Sequence, residues 1–416
     1  MTDTATQNIT VVGAGIVGMS CARWLQRDGH KVTVIDPVAP GESCSFGNAG
    51  IISASAMAPL ATPGMVWKAI GWMFDPMGPF TVRWSYMPIA APWLLRLLAN
   101  SRRSRVMEIS DALRVLNAPT LDNYRELFSA DDFNDLIRLD GSLNAYTTEA
   151  ELDGEQEWWD MRSRYGFSTH RIGRDELRQM EPDINPDIAC AMFTEETAHA
   201  VDPGRVVTTL ADRFLADGGE IIAQQVEGFD VGPDGPRALF ASGEKRPLET
   251  VVIAAGAWSH RLAAQLGSRI PLEAERGYHV VIPDPGVDVR RPVTLASGKF
   301  YATPMETGLR IAGTVEMAGV DAEPNFERAR ALLKHGRNLY PGLKTDGAIE
   351  WSGCRPSLPD SLPVIGRSPR YDNVYYAFGH GHLGLTEGGF TGKLIAEQIA
   401  GKPTSIDLTA YRADRF

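Results

Sequence analysis

The sequence predicts an α/β fold in which a parallel-sheet domain is interrupted by a mixed-sheet α+β domain. Three observations carry this. A glycine-rich turn, Gly13-Ala14-Gly15-Ile16-Val17-Gly18, leaves the apolar run Ile9–Val12. A second apolar run, Lys31–Ile35, ends on an acid, Asp36. Far from both, the strand-like Val374–Phe378 enters another glycine-rich turn, Gly379–Gly389, and a helical stretch that Gly401 ends.

Strand, glycine-rich turn, helix, strand and acid in that order form the dinucleotide fingerprint in its expected context. The first domain is therefore Rossmann-like. Gly13 permits the tight turn, Gly15 lets backbone N–H groups approach a pyrophosphate, and Gly18 lets the helix pack closely on the strand. The helix start, at Ile16 and Val17, offers unpaired N–H groups and a positive dipole end to the anion. Asp36 is placed to accept hydrogen bonds from the adenosine ribose. These residues predict an ADP-containing cofactor.

Composition narrows the class. The 416 residues allow two domains, and 44% hydrophobic with 22% charged residues is the balance of a soluble globular protein. A net charge of −11 argues against a nucleic-acid partner. No stretch is apolar for long enough to span a bilayer, and residues 1–8 lack the basic start of a secretory signal. Four scattered cysteines without C-x-x-C spacing fit a reducing cytoplasm. The eight histidines form no ligand cluster, so no metal is expected.

Three segments, 1–53, 201–265 and 352–416, read as one nucleotide domain. The second contains the helical pattern Val206–Ala216 and the apolar run Val251–Ala254, and it supplies Val226, Ala255 and Gly256 to the cofactor side. Segments 54–200 and 266–351 read as the substrate domain, the latter through alternating runs at 277–282, 299–303 and 309–315.

The second glycine-rich turn favours a flavin over a nicotinamide. Its helix start can face the flavin end of an extended cofactor, where negative charge gathers on reduction. Gly381, His382, Leu383, Gly384 and Thr386 are the candidates there. Ser45, Asn48, Ala49 and Gly50, small and hydrogen-bonding, are suited to run along the same cofactor.

With these residues in order, the chain resembles the FAD-dependent amino-acid oxidase superfamily, and within it the D-amino-acid dehydrogenase small-subunit group. The likeness covers nearly the whole chain. It is carried by Val11–Gly18, Ser45–Gly50, Val201-Asp202-Pro203, Gly308–Glu316, Arg355–Asp360 with Pro363–Gly366, and Gly379–Thr386. The resemblance implies a glutathione-reductase-like nucleotide domain, noncovalent FAD and oxidation of an amine next to a carboxylate. Sarcosine oxidases attach flavin to a cysteine near this region, but the matching position here is Gly353, one residue before Cys354.

Such a reaction moves hydride from Cα to the flavin and leaves an imine, which water hydrolyses to a 2-oxo acid and ammonia. The protein must orient the substrate. Arg355 is the carboxylate candidate, because a planar guanidinium binds a carboxylate bidentately and the resembled motif places its arginine there. Tyr278, Tyr301 and Arg276 are further substrate-side candidates. No catalytic base is assigned, since hydride leaves an already neutral amine without one.

Trp67, Trp72, Trp84 and Trp93 fall within 64–100. They either roof the active site or lie at a membrane surface. The expectation is an FAD-dependent dehydrogenase of amino acids, D-configured by resemblance and including D-hydroxyproline or other small ones. Electrons then pass to a quinone or other respiratory carrier, at a cytoplasmic location that includes the inner-membrane face. The alternatives are an oxygen-using oxidase of glycine, sarcosine or another secondary amine, and a noncatalytic flavoprotein subunit.

Overall fold

The computed structural model describes residues 6–63, 71, 78–232 and 235–416. One sheet has six strands in the order Glu220–Ile222, Lys31–Ile35, Asn8–Val12, Thr250–Ile253, Val374–Phe378, Val364–Arg367. The first five run parallel and the last is antiparallel. Both faces are buried. Val11, Val34 and Val252 join a core with Leu25, Phe214 and Leu394, whereas Val12, Ile35 and Ile253 join another with Phe229, Phe240 and Leu262. This two-sided burial explains why the strands read as continuous apolar runs.

The helices on the first face have local causes. Asp202 caps Pro203–Ala216, its Oδ1 accepting the N–H groups of Gly204 at 2.7 Å and Arg205 at 3.3 Å. Pro203 at the first turn has no N–H to leave unsatisfied. Helices Ile16–Arg27 and Gly384–Ile399 pack closely because Gly392 carries no side chain: a Cβ there would lie 2.6 Å from the Ser20 backbone. Trp24 Nε1 donates to the Gly389 carbonyl at 2.9 Å across the same contact.

Gly13, Asp36, Ala254 and Gly379 each directly follow the last residue of a parallel strand. They therefore gather at the carboxyl edge of the sheet, where open α/β folds bind ligands.

A second sheet of nine strands is mixed. Eight run Ile349–Ser357, Glu273–Ile282, Gly308–Met317, Phe300–Met305, Val293–Leu295, Ser142–Tyr146, Cys190–Thr194, Thr169–Gly173, and Phe80–Val82 pairs with Gly308–Met317. The alternating runs at 277–282 and 309–315 fall within these strands, and that at 299–303 does so from Phe300 onward.

Two details depart from the sequence reading. The boundary at 352 cuts the strand Ile349–Ser357, which stays in the nine-stranded sheet to its end. Helices Arg103–Asn117 and Thr120–Leu127, read with the substrate domain, pack on the nucleotide domain: Ile109, Leu113 and Tyr124 share a core with Met19 and Leu394. Thr120 and Tyr124 also donate to the carbonyls of Thr386 and Leu385. Helical periodicity shows that a face is buried, but not against which domain.

Candidate active site

A cavity of about 650 Å³ opens at the carboxyl edge of the six-stranded sheet. Its glycine frame is dictated sterically. Gly13 has φ +114°, and a Cβ on it would lie 2.3 Å from the Ala254 carbonyl oxygen. A Cβ on Gly18 would lie 1.9 Å from the Gly13 carbonyl oxygen. Gly15 stands at the N-cap of Ile16–Arg27, so no side chain of the N-cap residue comes between the first helical turn and the cavity. Nearby, Ser45 Oγ accepts the Ile16 N–H at 3.0 Å. Asp36 Oδ2 accepts the Ala14 N–H at 2.7 Å and Oδ1 that of Val38 at 2.8 Å. Burial pushes its carboxyl pKa up, and these two bonds pull it back.

Of the cofactor-side candidates, Gly13, Gly15, Ile16, Val17, Asp36, Ser45, Asn48, Val226, Ala255, Gly256, Gly381, His382 and Gly384 line this cavity. Ala49, Leu383 and Thr386 line its neighbour instead. Gly18 and Gly50 line neither; their work is packing and turning. Gly50 has φ +80°, and its N–H bonds to Asn48 Oδ1 at 2.8 Å.

The loop 44–50 is held from behind. Arg310, fully buried, donates to the carbonyls of Phe46 and Asn48, both at 2.7 Å. Gly47 lies under the Trp351 ring, which a Cβ at that position would strike. His279 stacks on Trp351 at 4.9 Å and donates from Nδ1 to the Gly47 carbonyl at 3.2 Å. Burial pulls the His279 pKa down to about 3, so this prop is uncharged.

A second cavity, about 820 Å³, adjoins the first, and Gly47, Asn48, Arg355 and His382 line both. Arg355 reaches the junction across a glycine. Gly277 pairs with Gly353, and a Cβ on Gly277 would lie 2.2 Å from Arg355 Nη2. Beyond Gly277, the neighbouring strand bulges: pairing passes from Gly277–Val315 to Tyr278–Gly313, skipping Thr314, whose φ is +56°. A bulge re-aims the chain locally. Here the Thr314 carbonyl accepts from Arg355 Nη1 at 3.3 Å, while Arg328 holds the Thr314 hydroxyl from the other side.

Two more groups face Arg355. Glu275 lines the second cavity, and burial raises its pKa while the arginine draws it back down. His382 is held down at about 4 by burial and then by Arg355, which makes it a neutral imidazole at ordinary pH.

Two sequence candidates are corrected. Tyr278 does not line either cavity; it is core, its hydroxyl donating to Glu316 and accepting the Asn325 N–H. Arg276 does not line them either, and donates to the carbonyls of Gly319, Val320 and Ala322. The cause is strand parity. Glu275 and Gly277 turn to the cavities, so Arg276 and Tyr278 turn away. Tyr301 does line the second cavity. Cys354, paired with Arg276, packs on Ala257 and Ala274. Cys44 lines the first cavity, but burial pushes its thiol up to about 12, the opposite of a reactive thiolate.

Sequence reasoning missed Glu275, Arg310, Thr314 and Arg162 as site or supporting residues. Arg310 and Thr314 lie inside the recognised stretch Gly308–Glu316, but nothing in its spacing distinguishes a prop from a core residue. The tryptophan stretch divides: Trp93 is buried with Val82, Ala90 and Met317, whereas Trp84 is 65% exposed. Trp67 and Trp72 lie outside the described residues. Helix Met87–Asn100 lines the second cavity with Ala91, Leu94, Leu95, Leu97 and Leu98.

The family model described as FAD dependent oxidoreductase matches residues 8–398, and the chain belongs to that family. It is 37% identical to a D-amino-acid oxidase of Bradyrhizobium diazoefficiens, with 99% of each chain covered. It is 32% identical to a D-amino acid dehydrogenase of Paramagnetospirillum magneticum, with 98% of each covered. Among solved structures, L-proline dehydrogenase from P. horikoshii has a TM-score of 0.76 at 20% identity, covering 99% of this chain and 98% of that one. Glycine oxidase from Bacillus cereus has a TM-score of 0.72 at 18% identity, covering 95% of each. The first cavity fits the family's FAD: the side-chain-free Gly15 would let a pyrophosphate approach the helix start, and Asp36, just after the second strand, would meet the adenosine ribose.

Proposed function

We propose that this FAD-dependent oxidoreductase removes hydride from Cα of D-amino acids, small ones and D-hydroxyproline among them. The observation that carries the reading is Arg355 at the junction of the two cavities. A guanidinium there fixes a carboxylate in direction as well as position, and so sets which Cα–H faces the first cavity. Noncovalent FAD supplies the two-electron acceptor. The chain's own residues do the rest. Asn48 and loop 44–50, braced by Arg310, bound the junction, and the half-buried Ala91, Leu94 and Leu97 of helix Met87–Asn100 keep water scarce around it. Neutral His382 adds no cation that would compete with Arg355 for the carboxylate. The imine formed from a primary amino acid is hydrolysed by water to a 2-oxo acid and ammonia, whereas D-hydroxyproline leaves a cyclic imine and releases no ammonia. The D configuration rests on the names of the relatives, and release of 2-oxo acid and ammonia from D- but not L-amino acids tests it.

The acceptor is a respiratory carrier such as a quinone in this reading, with oxygen as the alternative. Trp84, Ile89, Leu95 and Leu98 expose 47–66% of their surface on one short stretch, which supports peripheral contact with the cytoplasmic face of the membrane. Among the described residues no helix is long and apolar enough to cross a membrane. Sedimentation with anionic vesicles tests the contact, and readmitting oxygen to reduced enzyme, against adding a soluble quinone, tests the acceptor.

A further inference from the structure

The far part of the second cavity holds a cation that the reaction does not use. Arg162, on helix Gln156–Arg164, lines that cavity together with Trp159, Tyr301, Lys299 and Glu155. Its guanidinium lies over the Trp159 ring at 4.5 Å, and its hydrogen bond to protein is from Nε to the Ser55 carbonyl at 3.4 Å. Among the described residues no carboxylate lies within ion-pair distance of it. The nearby acid is engaged elsewhere: Glu155 accepts from the Tyr146 hydroxyl at 2.8 Å and lies 3.6 Å from Lys299 Nζ. Lys299 and Glu155 therefore offset each other, and Arg162 is the surplus charge of this end.

Position relative to Arg355 follows from register. Tyr301, whose hydroxyl senses the charge of Arg162, pairs with Ala312. Thr314, whose carbonyl holds Arg355, is two residues along the same strand, about 7 Å at strand rise. A short amino acid held at its α-carboxylate by Arg355 thus extends toward Arg162. Placing a half-buried guanidinium on an aromatic wall without a carboxylate is costly unless an anion arrives.

We propose that Arg162 receives a side-chain carboxylate, so that the enzyme selects acidic amino acids over their neutral isosteres. This rests on Arg355 being the α-carboxylate clamp. Tyr301 and the Trp159 face then fix the direction of the substrate side chain, while the Lys299–Glu155 pair adds no net charge.

The test uses FAD-loaded enzyme with aspartate, glutamate, asparagine and glutamine in both configurations, measuring kcat/KM. The acids are expected to exceed their amides by about 10-fold or more, the scale of one charge-assisted contact in a partly wet pocket. Arg162→Gln is expected to collapse that ratio, Arg162→Lys to keep part of it, and Arg162→Glu to shift preference toward basic amino acids. Arg164→Gln, an exposed neighbour on the same helix, is expected to leave the ratio as it was. Independently of turnover, glutarate is expected to perturb the flavin absorbance at lower concentration than valerate, and to lose that advantage in Arg162→Gln. Amides used as well as acids by the wild type, or an Arg162→Gln that slows acids and amides alike, would overturn the proposal. If neutral amino acids reduce the flavin and acids do not, this proposal alone fails; if no amino acid does, the parent reading fails with it.

Discussion

The two cavities share Arg355 and His382 but are built in opposite ways. The first cavity, proposed for the cofactor, is framed by backbone: strand ends, helix starts and glycines whose missing side chains are the feature. The second cavity, proposed for the substrate, is framed by side chains, several of them charged, projecting from a mixed sheet and two helices, Met87–Asn100 and Gln156–Arg164. Backbone sites demand particular residues at fixed spacing, because only glycine fits where a Cβ would strike a carbonyl. Side-chain sites require only that some suitable group reach the right point, from whichever strand is near.

That contrast can be broken most forcefully at Gly13. Gly13→Val adds a branched side chain where even a Cβ has no room, and a φ of +114° suits no such residue. A loss of about 3 kcal/mol of stability is expected, along with flavin-free protein, read from the ratio of flavin to protein absorbance. Arg355→Ala should do the reverse, keeping flavin while lowering kcat/KM for amino acids about 100-fold, the cost of removing one partner of a desolvated charge pair. Full activity in that variant would remove Arg355 from the site.

Gly277→Ala probes how closely the two kinds of site are joined. The added methyl displaces the Arg355 guanidinium, and KM is expected to rise about 10-fold with flavin content unchanged. The pH response is a gentler test. His380, buried against Thr391 in the cofactor cavity, has its pKa pulled from 6.5 to about 3 by burial. The unfolded chain takes up this proton below 6.5, whereas the folded one waits until about 3. Its contribution is therefore whole above pH 6.5 and is lost as pH falls through that window. His380→Gln should flatten the acid side of a urea-unfolding series. Last, Tyr278→Phe should cost about 1 kcal/mol through the lost bond to Glu316 and leave KM alone. A raised KM would return Tyr278 to the substrate site.

Legibility followed the same division. The parallel sheet, the fingerprint turn and the second glycine-rich turn were readable because each has a strict local rule. Arg355 was proposed through a resembled motif, and the structure places it at the junction of the two cavities. Tyr278 and Arg276 were misplaced because nothing local gives the parity of a strand whose two faces are both covered: every residue of Glu273–Ile282 is buried. The Thr314 bulge was invisible for a related reason, since its φ of +56° falls on a residue that is not glycine, and the contacts to it come from Arg328 on helix Glu327–Leu339 and Arg355 on strand Ile349–Ser357. Helices Arg103–Asn117 and Thr120–Leu127 were assigned to the wrong domain because amphipathicity does not name a partner. Arg162 had no signal at all, as one arginine on a polar helix reads as solvated charge.

The central claim is that an amino acid held by Arg355 presents its Cα–H to flavin across the shared wall of the two cavities. Anaerobic mixing of the FAD-loaded enzyme with D- and L-amino acids, followed at the flavin absorbance, tests it most directly. Rapid bleaching by D-amino acids in the wild type, slowed about 100-fold in Arg355→Ala with flavin still bound, is the predicted result. Flavin that stays oxidised with every amino acid, or bleaching that is indifferent to Arg355, would contradict it.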